Sequence, residues 1–79
     1  MPMNKNDNLQ RLEDARVRTR QVEAEIIAQN ETIAALERSG RDARTARAVR
    51  AELWIRQENY LAEIEWLLEA SAQLRTPKP

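Results

Sequence analysis

The sequence contains no cysteine, no histidine and no phenylalanine, and only one glycine and three prolines in 79 residues. Without cysteine there is no disulfide staple, no thiolate nucleophile and no Cys-based zinc site. Without histidine, one copy of the chain cannot assemble a Ser-His or Cys-His catalytic pair, a His-ligated zinc or a Glu-x-x-His di-iron site. The prolines stand at 2, 77 and 79, so none breaks the interior. No stretch approaches the roughly 18 apolar residues of a membrane-spanning helix. The opening Met1-Pro2-Met3-Asn4-Lys5-Asn6-Asp7-Asn8 has no apolar core of the signal-peptide kind. These two absences predict a soluble, cytoplasmic protein with no membrane partner. Charge of one sign is lacking as well, since Lys and Arg total 13 and Asp and Glu total 13. That balance argues against a surface built as a whole for nucleic acid or anionic lipid.

What remains is helix-forming material. Apolar residues make up 42% and charged residues 33% of the chain, weighted toward Ala, Glu, Arg and Leu. Only Ser39-Gly40-Arg41-Asp42 interrupts the helical pattern. Gly40 takes the left-handed conformation without steric cost and suits the position just past a helix C-terminus. Asp42 suits the N-cap of the next helix, accepting the N–H groups of Arg44 and Thr45 that have no intrahelical partner. Two long helices joined so tightly run antiparallel. The sequence therefore predicts an all-α, coiled-coil-like helical hairpin. Its helices cover about 7–38 and 43–75, its bend 39–42, and disordered tails occupy 1–6 and 76–79.

In the first helix Leu12, Ala15, Thr19, Val22, Ile26, Gln29, Ile33 and Leu36 recur at alternating spacings of three and four, the seam of a coiled coil. In the second helix the matching set is Ala46, Val49, Leu53, Gln57, Tyr60, Ile64, Leu67, Ser71 and Leu74, which implies one phase slip at Gln57. Folding about Gly40 pairs residues whose numbers sum to about 82, such as Ala15 with Leu67 and Val22 with Tyr60. Thr19 falls opposite Glu63 and Ile64, where its hydroxyl bonds back to the Ala15 carbonyl, and Arg18 or Arg20 is placed to pair with Glu63.

The second helix carries more apolar surface than one neighbour covers. Trp54, Leu61 and Leu68 form a second stripe at seven-residue spacing, and Ile55 and Trp66 lie near the back with Ala48, Ala51 and Ala62. The first helix adds Leu9, Ile27 and Ala34 beside its seam, and Val17, Ala24, Ala28 and Ala35 behind. Such a patch marks an interface, and a chain this short struggles to stabilise itself alone. A homodimer closing into a four-helix bundle is the simplest cover, with a heterologous protein partner as the rival. The interface residues expected are Trp54, Leu61, Leu68, Ile55 and Trp66.

Arg38, Arg41, Arg44, Arg47 and Arg50 surround the bend, with Asp42 among them. Arg41, Arg44 and Arg47 beside a helix N-terminus form a candidate phosphate-binding cluster and support nucleic-acid binding as the alternative function. No aromatic side chain near the bend offers a stacking surface for bases. Carboxylate pairs such as Glu65 with Glu69 lack a pocket to desolvate them, and Ser39, Ser71 and Tyr60 lack a base. No catalytic, cofactor or metal site is therefore expected, and the chain reads as a scaffold, adaptor or regulator that is not an enzyme.

The stretch from Gln21 to Ala70 resembles short uncharacterised helical-hairpin proteins of alpha-proteobacteria such as the rhizobia. Ile26-Ile27-Ala28-Gln29-Asn30 and Leu36-Glu37-Arg38-Ser39-Gly40-Arg41-Asp42 carry the likeness, followed by an alanine-rich second helix. The resemblance implies the hairpin and a bacterial origin. It transfers no functional residue.

Overall fold

The computed structural model describes residues 5–75, which form two helices and no strand. Helix α1 spans Lys5–Arg38 and helix α2 spans Arg44–Arg75. They pack against each other as an all-α hairpin. Of the expected tails, residues 1–4 and 76–79 lie outside the described residues, and α1 begins at Lys5.

The bend is built by backbone geometry. Gly40 has φ 70°, its N–H donates to the Glu37 carbonyl at 3.1 Å, and the Arg41 N–H donates to the Leu36 carbonyl at 2.8 Å. This pair of bonds is the Schellman arrangement, which satisfies the last carbonyls of α1. A Cβ at Gly40 would touch nothing within 4 Å, so glycine is required by its dihedral angle alone. Asp42 then caps α2, its Oδ1 accepting the Arg44 N–H at 2.9 Å. Its Oδ2 accepts from Arg44 Nε at 2.8 Å. The Arg44 side chain, and then its backbone N–H, hold the Asp42 carboxyl below the usual carboxylate range.

Along α1 the seam is as the spacing predicts. Leu12, Ala15, Val22, Ile26 and Ile33 are buried, and Thr19, Gln29 and Leu36 are half-buried. The row continues one step further, to the buried Asn8. Thr19 Oγ1 donates to the Ala15 carbonyl at 2.9 Å, which satisfies the hydroxyl within its own helix.

Along α2 the predicted seam needs correcting. The residues turned toward α1 are Ala43, Ala46, Arg50, Leu53, Gln57, Tyr60, Ile64, Leu67 and Ser71, whereas Val49 is exposed. Those positions alternate three and four without interruption, so no phase slip occurs at Gln57. Arg50 takes the place assigned to Val49 because its aliphatic stem lies along the seam while its guanidinium donates to Asn30 Oδ1 at 2.9 Å. Leu74 lies outside the described side chains.

Two apolar clusters fill the interior. Ile33, Ala43 and Ala46 pack with Leu36 beside the bend, and Val22, Ile26 and Leu53 pack with Tyr60 in the middle. Near the open end, Ala15 and Leu67 have no solvent exposure at all. Among the described residues, Asn8 Oδ1, Gln57 Oε1 and Ser71 Oγ are buried without a hydrogen-bond partner.

Candidate interaction face

Closing the seam leaves large apolar side chains in solvent. Trp54, Leu61 and Leu68 remain 51%, 50% and 46% exposed, and Ile55 and Trp66 remain 59% and 51% exposed. Polar contacts between the helices show on which side each one lies. On one flank Arg47 pairs with Glu37 at 2.6 Å and Arg50 reaches Asn30. On the opposite flank Arg11 pairs with Glu63 at 3.6 Å. In a two-helix coiled coil, residues seven apart occupy the same flank. Arg47 therefore heads a row that continues through Trp54, Leu61 and Leu68, and Glu37 heads a row on α1 that ends at Leu9. The next rows outward on the same side hold Ile27 and Ala34 on α1, and Ala51 and Ala72 on α2.

The stripe expected on α2 is thus half of a composite face to which both helices contribute. Ile27 and Leu9, 52% and 42% exposed, complete it. The other two expected interface residues are not part of it. Ile55 points to the back of α2, away from α1, on the heptad spacing. Trp66 lies three residues after Glu63, on the opposite flank, with the Arg11 guanidinium 5.5 Å from its ring centroid. Arg11 so contacts Glu63 and Trp66 together, and it fills the role expected of Arg18 or Arg20; Arg20 instead approaches Glu13 at 4.0 Å.

The three bend arginines are differently placed. Arg44 is held by Asp42 at 2.7 Å and Arg47 by Glu37, so two members of the phosphate-binding candidate already face carboxylates. Arg41 is exposed. Among the described residues no group of three or more acidic, Cys or His side chains could hold a metal ion, and no helix is long and apolar enough to cross a membrane.

Fold and face together define an all-α helical hairpin with one apolar side uncovered. No protein-family description, curated protein or solved structure matches the chain.

Proposed function

We propose that this protein is a non-enzymatic protein–protein interaction module, a scaffold, adaptor or regulator, that works by associating with a second copy through the composite apolar face. One observation supports this reading most directly. Trp54, Leu61 and Leu68 stay about half exposed after the seam has closed, and they align on the flank that also carries Leu9 and Ile27. Large aromatic and aliphatic side chains aligned in this way are the usual anchors of an interface. Stacking two hairpins on this face gives a four-helix bundle in which each copy covers the other.

Sedimentation equilibrium of the full chain across micromolar concentrations tests the proposal. A concentration-dependent dimer supports it, whereas a stable helical monomer overturns it and assigns the face to a different protein. Nucleic-acid binding is the alternative, and it depends on Arg41 together with release of Arg44 and Arg47 from their carboxylates. A salt-sensitive RNA or DNA mobility shift lost in Arg41→Ala/Arg44→Ala would establish it.

A further inference from the structure

The charges on the composite face limit how a second copy can sit on it. Facing residues of the two helices have numbers that sum to about 79 rather than about 82, as Ile33 and Ala46 beside the bend and Ile26 and Leu53 in the middle do. On that scale Leu61 of α2 is level with the gap between Arg16 and Arg20 of α1. Glu58 lies level with Arg20 and Glu65 with Arg16, each to within about two residues, or about 3 Å of rise. Trp54 is matched in the same way by Ile27, and Leu68 by Leu9.

A two-fold interface on this face has two forms, because whatever residue i meets on the second copy must in turn meet residue i. An axis across the rod lays each helix on its own counterpart, with the bends at opposite ends. An axis along the rod keeps every residue at its own level and lays α1 of each copy on α2 of the other. We propose that the second copy docks about the axis along the rod, so that both bends lie at one end of the bundle. The inference rests on the self-association proposed above.

Apolar burial does not separate the two forms, since either one covers Leu9, Ile27, Trp54, Leu61 and Leu68. Charge does. Between Trp54 and Leu68 the outward ridge of α2 carries Glu58 and Glu65 and no cation. Laying α2 on α2 about the Leu61 level sets Glu58 against Glu65, and on α1 it sets Arg16 against Arg20. With the axis along the rod, Arg20 meets Glu58 and Arg16 meets Glu65 of the second copy, each pair formed twice. Leu9 then packs on Leu68 and Ile27 on Trp54, while the stems of Arg16 and Arg20 cover Leu61. Glu13 and Glu23 flank these pairs, and Glu13 already approaches Arg20 at 4.0 Å. At the bend Glu37 comes level with Arg44 of the second copy, which adds a further opposite-charge contact.

The chain has no cysteine, so Ser39→Cys places one spin label on each exposed bend. Bends at one end bring the labels within about 25 Å, from interaxial spacings of about 8–10 Å and helix diameters of about 10–12 Å. Bends at opposite ends hold them more than about 50 Å apart, at about 1.5 Å of rise per residue on either side of the axis. The short distance is expected; the long one overturns the proposed axis while leaving self-association intact. A monomer by sedimentation under the same conditions defeats the self-association reading itself.

Charge reversal supplies a second measurement. Arg20→Glu and Glu58→Arg, each present twice in the dimer, should each raise Kd about three- to tenfold, and the double variant should recover most of that loss. If each helix lay on its own counterpart, Arg20→Glu would relieve a contact with Arg16 and Glu58→Arg one with Glu65, and both would tighten the dimer. Unchanged or tighter association in either single variant, or no recovery in the double, overturns the proposal.

Discussion

Replacing Leu61 by alanine tests the proposed association face apart from the fold, because the side chain is half exposed and belongs to neither core cluster. Full burial of a leucine is worth about 1.5–3 kcal/mol. With 50% of Leu61 still open in one hairpin, covering the remainder contributes about 1 kcal/mol per copy. A two-fold dimer contains the substitution twice, so Leu61→Ala should weaken it by about 2 kcal/mol, or about 30-fold in Kd. The helicity and melting of the monomer should hardly change. Sedimentation equilibrium over a concentration series reads the Kd, with circular dichroism on the same samples as the check on folding. Ile55→Ala is the matched control: its side chain is 59% exposed but lies on the back of α2, and its Kd should stay within about twofold of the unaltered protein. The reasoning is refuted if Leu61→Ala leaves Kd unchanged, or if Ile55→Ala weakens the dimer as much.

Three further outcomes concern the hairpin itself. Leu67→Ala removes a side chain with no exposure and should cost about 3–4 kcal/mol in urea denaturation, within the range for buried leucines. Gln57→Leu replaces a buried amide whose Oε1 has no partner and should stabilise the fold by about 1 kcal/mol in the same assay. Asp42 has its carboxyl pKa lowered by Arg44, so its contribution to stability is complete above the unfolded-state value and is lost as pH falls through the lower folded-state value. Asp42→Ala should reduce the melting temperature at neutral pH, and the difference from the unaltered protein should vanish in strong acid.

The hairpin, its bend and the seam of α1 were legible because each follows from short-range chemistry. Gly40 and Asp42 act on backbone groups only a few residues away, and the apolar period of α1 is nearly unbroken. The seam of α2 was harder to read. Val49 attracts the eye because it is apolar, yet Arg50 keeps the regular period, and nothing in composition shows that its stem can lie flat while its head reaches Asn30. Asn8 posed a similar difficulty: apolar periodicity passes over it, although it is buried.

A straight helical wheel sets Ile55 and Trp66 together near the back of α2. At 3.6 residues per turn Ile55 and Trp66 share a face, but the direction toward α1 follows the seam, which repeats every 3.5. Over the eleven positions from Ile55 to Trp66 that drift moves Trp66 toward the Glu63 flank, where Arg11 meets both residues. Which arginine would reach Glu63 was not determined by seam spacing alone, because Arg11 and Arg18, seven residues apart, share the Glu63 flank, whereas Arg20 lies on the other.

The short bend also bears on the order in which contacts form. The sequence separation between facing residues grows steadily from Leu36 and Ala43 beside the bend to Arg11 and Glu63 near the open end. Loop closure is least costly at the bend and rises by only about 0.6 kcal/mol for each doubling of the loop. Each layer, once made, shortens the effective loop to the next, so the two helices can close progressively from Gly40 outward as a zipper does. Changes near the bend are then expected to alter the folding rate, and changes at Ala15 or Leu67 the unfolding rate.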